Sequence, residues 1–199
     1  MGFAWESQWT PLTFTVLRLQ ALRIDSPEFD PPIVDSVLNV RNEGFQGSFI
    51  VNRLLTSSLG LSAGVSGSLV STDDPTARLT GYFNEVDGTL ALSYMHPSGW
   101  FASIKDTVVY QDLSGLSNKS YAQEQANLGD PFNLVDLTFG KYFANKRGIV
   151  SLQITNVFNQ HFNYQITPFA VYTYSALNPS TAYSFYPDRE VLLTVVLNF

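Results

Sequence analysis

The sequence predicts an all-β fold: an antiparallel up-and-down transmembrane β-barrel of about nine strands, forming part of a larger barrel. Three observations carry that expectation. Apolar and small polar residues alternate with period two in segment after segment. Hydrophobic residues reach 45% while charged ones make up only 14%, against roughly 25% charged in soluble domains. Short and long connections also alternate strictly along the chain, as they do when turns face one side of a membrane and loops the other.

The predicted strands lie at about 2–9, 12–24, 37–53, 59–71, 80–95, 100–112, 132–143, 149–158 and 189–199. The second changes phase near Val16–Leu17, where a bulge is expected. In LGLSAGVSGSL, Leu59, Leu61, Ala63, Val65 and Leu69 share one face, and Gly60, Ser62, Gly64, Ser66 and Ser68 the other. Leu90, Leu92 and Tyr94 oppose Thr89, Ala91 and Ser93; Val135, Leu137 and Phe139 oppose Asp136, Thr138 and Gly140. Val150, Leu152 and Ile154 form the next row, and Val191, Leu193, Val195, Leu197 and Phe199 the last. The strands at 37–53 and 100–112 alternate less cleanly.

Tight turns are expected at Thr10-Pro11, Leu54–Ser58, His96–Gly99 and Ala144–Gly148. Longer connections fall at 25–36, 72–79, 113–131 and 159–188. Only a closed sheet satisfies every backbone group of a β-structure in hydrocarbon. Tyr94, Trp100, Tyr142 and Phe143 sit at strand ends, where an interfacial aromatic girdle belongs. No run of about 18 apolar residues exists, so a transmembrane helix is not expected.

Net charge is −6, which disfavours a nucleic-acid partner, since binding phosphates needs cations. With no cysteine, disulfides and thiolate chemistry are ruled out. The start, MGFAWESQWTPLTFTV, lacks a basic stretch followed by an apolar core and does not read as a signal peptide.

The segment ITNVFNQHFNYQ closely resembles the N-L-F-D-x-x-Y stretch of TonB-dependent receptors, through Asn156, Val157, Phe158, Asn159 and Phe162. EGFQGSFIVNRLLTSSLGLSAGVS, from Glu43, resembles that family's hairpins, and the terminal Phe199 resembles the C-terminal aromatic signal of bacterial outer-membrane barrels. Barrels fused to tetratricopeptide repeats end similarly. The resemblance implies a bacterial outer-membrane location and solute uptake or passage without catalysis or cofactor. Residues 1–199 would form the C-terminal portion of the barrel, with no plug domain. Val195, Leu197 and Phe199 would present the assembly signal to the barrel-assembly machinery. Further partners would be outer-membrane lipid, the remaining strands or another chain, and TonB through an N-terminal region not present. The alternatives are an anchor or export pore for a periplasmic repeat or partner domain, and a small autonomous porin-like protein. Strand parity also bears on completeness. A periplasmic C-terminus makes the first of nine strands start outside, whereas single-chain barrels have even strand numbers. The chain therefore reads as part of a larger barrel.

Candidates for chemistry are few, and no catalytic or metal site is expected. His96 and Ser98 lie in HPSG, where a tight turn hinders the serine–imidazole geometry of a hydrolase. Asp25, Glu28, Asp30, Asp35, Asp73 and Asp74 lack calcium-loop spacing and read as solvated loop charge. Arg41, Glu43, Lys105 and Asp106 fall within strands, where a barrel would turn them into its lumen. The aromatics of the last long connection, Tyr172, Tyr174, Tyr183 and Tyr186, are candidates for stacking on a ligand.

Overall fold

A computed structural model of the chain describes residues 1–29, 37–74, 79–114, 130–143, 147–161 and 188–197. Period-two alternation forms nine strands: β1 (Gly2–Thr10), β2 (Thr13–Phe29), β3 (Val37–Leu54), β4 (Leu59–Asp74), β5 (Leu79–Met95), β6 (Trp100–Ser114), β7 (Phe132–Tyr142), β8 (Gly148–Thr155) and β9 (Glu190–Leu197). They make a single sheet in chain order, each antiparallel to the next. The sheet is not closed: β1 and β9 are its two edges.

Residue chemistry sets the tight turns. Thr56 Oγ1 accepts from Ser58 N–H and Leu59 N–H, which folds the chain back into β4. Gly99 takes φ 91°, and a Cβ there would meet the Tyr142 carbonyl. β8 stops at Thr155, short of the expected Phe158 position, because Asn156 enters the left-handed region at φ 49°. Its side chain then closes a small loop, donating to the Gln160 carbonyl and accepting from Gln160 N–H, both at 2.9 Å.

Three expectations need correction. No bulge interrupts β2 at Val16–Leu17; its pairing with β3 runs unbroken, and among the described residues the register shifts only at Gln8–Thr10 on β1. The apparent phase change arises because apolar residues stand on both faces of β2: Phe14, Val16, Leu22 and Ile24 beside Arg18 and Gln20, and Leu17 and Leu19 on the opposite face. The connections expected at 25–36 and 72–79 are shortened by strand at their ends, since β2 reaches Phe29, β4 reaches Asp74 and β5 starts at Leu79; 30–36 and 75–78 lie outside the described residues. Finally, Arg41, Glu43 and Asp106 do not share a face with Lys105: register places them among the apolar rows.

The faces differ in burial as well as polarity. On the polar face Phe83, Val109, Leu134 and Gln111 are nearly inaccessible, at 2%, 5%, 3% and 2% exposure. On the other, Val65, Leu90 and Leu193 stand 50%, 53% and 65% exposed. Side chains crowd on a concave surface and splay on a convex one, so the sheet curves around its polar face.

Candidate functional site

The strands are staggered at a constant rate. A row perpendicular to the strands leaves β2 at its first residue, Thr13, crosses Arg53 and meets β4 at Leu61, two residues beyond its start. The row from Leu59 through Tyr94 reaches Ala102, again two residues into β6. From Trp100 through Lys141 it reaches Val150, two residues into β8. One residue per strand is roughly 3.3 Å along for about 4.8 Å across, a tilt of about 35°. Closed barrels require a fixed shear and typically show strand tilts of about 35–45°.

The convex face is an apolar band with charged rims. Its rows run from Trp5, Leu17, Phe49 and Val65, and from Leu61, Leu92, Ile104, Leu137, Ile154 and Val191. At one rim stand Arg23, Asp25, Arg41 and Glu43; at the other, near the tight turns, Arg53 and Lys141. Along β3, Glu43 to Arg53 spans about 33 Å, or about 27 Å of height at this tilt. An outer-membrane barrel carries an apolar band about 25 Å tall.

Aromatic rings gather at the turn rim. Trp100 stacks on Phe139 at 5.2 Å between centroids, with Lys141 Nζ 4.8 Å above the Trp100 ring. Trp9 lies beside Trp5 at 5.9 Å and donates from Nε1 to Thr15 Oγ1 at 2.9 Å. Between the rims, Asp106 is the one outward charge among the described residues, and Asn133 donates to it at 2.6 Å. At the far rim, Arg23 and Arg41 each lie 3.1 Å from an oxygen of Asp25. Their hydrogen bonds, Arg41 foremost, hold its carboxyl below the ordinary carboxylate range.

The concave face carries hydroxyls, amides and charges. Glu85 accepts from Gln111 Nε2 at 2.5 Å, and Ser66 Oγ lies 3.4 Å from Asp87. Asp136, next to Lys105 in register, accepts from Asn156 N–H at 3.1 Å. Arg18, Gln46, Ser48, Ser66, Glu85 and Asp87 line a cavity of about 320 Å³ in this wall. The sequence alone places Ser66 on the polar face; nothing local shows that Arg18 and Asp87 stand on the same rung.

Of the expected site residues, Val195 and Leu197 lie on the convex row, 55% and 54% exposed. Phe199 and the candidate ligand aromatics Tyr172, Tyr174, Tyr183 and Tyr186 lie outside the described residues. His96 and Ser98 do meet: Nδ1 and Oγ are 2.7 Å apart, and Ser98 N–H donates to the same Nδ1 at 3.2 Å. The turn itself makes this contact. It occupies the nitrogen that an orienting carboxylate would hold in a hydrolase, so no triad forms there. At the base of the last connection His161 lies 3.0 Å from Asp188, and Arg189 N–H donates to Asn159 Oδ1 at 2.8 Å.

Comparison with protein-family models, curated proteins and solved structures finds no match for this chain.

Proposed function

We propose that this sheet is part of the wall of a bacterial outer-membrane β-barrel, resembling a TonB-dependent receptor, through which a polar solute passes. The observation that carries this reading is the convex band, apolar and exposed between charged rims about 27 Å apart. The uniform stagger and the polar concave face support it, because a tilted closed sheet lined by hydroxyls and amides makes an aqueous passage. In this reading Val195, Leu197 and Phe199 present the terminal row to the assembly machinery, and the edges of β1 and β9 pair with further strands. The reading needs no catalytic step.

The chain has no native cysteine, so single labels are unambiguous. Fluorophores on Leu90→Cys and Leu193→Cys should be quenched by brominated lipid in vesicles. Those on Thr89→Cys and Ser151→Cys should be quenched by aqueous iodide instead. A detergent-free, monodisperse monomer with both label sets equally open to iodide would overturn the proposal.

A further inference from the structure

Within the concave wall one rung differs from its neighbours in charge. Arg18, Ser48, Ser66 and Asp87 are direct register partners across β2, β3, β4 and β5. The adjacent rung, Gln20, Gln46, Ser68 and Glu85, runs beside it. A cation therefore stands at one end, two carboxylates at the other, and uncharged hydroxyls and amides between. Among the described residues the Arg18 side chain makes no hydrogen bond or ion pair, and neither do those of Gln20, Gln46, Ser48 and Ser68. The cavity they line, about 320 Å³, is the size of a small-ligand pocket.

From this geometry we infer that the rung is a binding site for an extended zwitterion, a short peptide with a free ammonium and a free carboxylate. The inference rests on the barrel reading above. Three strand spacings separate the Arg18 and Asp87 backbones, about 14 Å. Side chains converge on a concave wall, so that spacing is an upper limit, and about 3 Å at each end for a charge-assisted contact leaves up to about 8 Å between the ligand charges. An extended chain of two to three residues spans that distance at about 3.4 Å per residue. The carboxylate takes the Arg18 guanidinium, the ammonium takes Asp87 with Glu85 beside it, and the serines and glutamines bond the peptide groups between.

Charge, rather than polarity, decides the ligand class. A neutral oligosaccharide could use the hydroxyls and amides, but it would partly desolvate Arg18 and Asp87 without pairing either. The stagger also orients the ligand. Each strand step along the rung climbs about 2.7 Å, so Asp87 stands about 8 Å nearer the loop rim than Arg18. A solute entering from the loop side meets the carboxylates first and settles with its own carboxylate inward.

The test is equilibrium binding to the full chain in lipid at low ionic strength, using triglycine, N-acetyl-triglycine, triglycine amide and maltotriose. Each capped peptide lacks one charge and should bind roughly fivefold more weakly than triglycine, the effect of one solvent-screened charge pair. Arg18→Gln should weaken triglycine and N-acetyl-triglycine alike, but add nothing to the loss from amidation. Asp87→Asn should show the converse pattern. Equal binding of all four probes by the unaltered protein would overturn the inference, and so would triglycine binding indifferent to both substitutions. Because the capped peptides need no variant, poor folding of either mutant leaves the test decisive. Lipid quenching at Leu193→Cys without charge-dependent binding would sink this inference alone. Charge-dependent binding by a protein that fails the quenching test would sink the barrel reading instead.

Discussion

At the scale of single residues, two glycines on the same sheet sit in opposite environments. A Cβ on Gly140 would run into the Phe101 ring and the Val150 carbonyl, whereas one on Gly88 meets nothing within 4 Å. Gly140→Ala should therefore cost about 1–3 kcal/mol through overpacking between β6, β7 and β8. Gly88→Ala should change stability by no more than about 1 kcal/mol, and could raise it by removing backbone freedom from the unfolded chain. Denaturant titration of the two variants in lipid vesicles, followed by tryptophan fluorescence, checks both. Equal effects would mean that β7 is not packed as described. Asp25 supplies a pH-dependent counterpart beyond the apolar band. Its folded carboxyl is held down by hydrogen bonds from Arg41 and then Arg23. A lowered folded pKa means the unfolded chain takes up the proton more readily. The stabilisation is thus complete above the ordinary carboxylate range and is lost as pH falls through the lowered value. Carbon-13 titration of the Asp25 carboxyl should place its midpoint below that of a free aspartyl peptide, and high salt should move it back up. An unshifted midpoint would show that the two arginines do not hold it in solution.

At the scale of elements, each strand separates convex from concave positions by one residue, so if the convex face meets lipid as proposed, neighbours should respond oppositely to charge. Leu90 lies near the middle of the convex band of β5, Tyr94 at its rim, and Thr89 on the concave face. Leu90→Arg should cost about 2–4 kcal/mol of folding stability in a bilayer, and Tyr94→Arg about 0–1 kcal/mol from the charge itself. Thr89→Arg, pointing into the concave side, should be close to neutral. Equal costs at all three positions, measured by reversible unfolding from vesicles, would contradict a bilayer against the convex face. The one charge already in that band shows what such a position requires. Asp106 is bonded by Asn133 from the next strand, a partner that hydrocarbon would not provide.

At the scale of the whole molecule, the exposed edges of β1 and β9 set the remaining demand. If the convex face meets lipid as proposed, each unpaired backbone group in hydrocarbon costs several kcal/mol, and both edges should be covered by further strands. Ala4→Cys with Thr194→Cys places one cysteine on each edge strand, on the concave face. No disulfide should form between them under oxidation in vesicles, while amides of β1 and β9 should still exchange slowly. Efficient crosslinking would show that nine strands close on themselves, and would favour a small autonomous porin-like protein.

The sequence by itself determined which segments form strands and where the turns at Thr10-Pro11, Leu54–Ser58 and His96–Gly99 lie, because period-two alternation and turn chemistry act between residues a few positions apart. LGLSAGVSGSL sorts its own faces, and Gly99, Thr56 and Asn156 mark reversals by what their own backbones and side chains can do. It also determined that one face would be mainly apolar, since Leu, Val and aromatic side chains recur with period two in Leu59–Val65 of β4, Leu90–Tyr94 of β5 and Val191–Leu197 of β9. Which face a charge takes in a noisy strand was decided only by pairing. Lys105 and Asp106 are adjacent, so the pleat alone sends them to opposite sides; register with Asp136 and Val135 decides that Lys105 takes the concave face and Asp106 the convex one. The same holds for Arg18 and Asp87: far apart in sequence, they become rung partners only through three successive registers. Register is a contact between segments remote in the chain, and a slip of one residue would exchange the faces while leaving each local pattern intact. The constant stagger, and with it the tilt and the height of the apolar band, belongs to the assembled sheet for that reason.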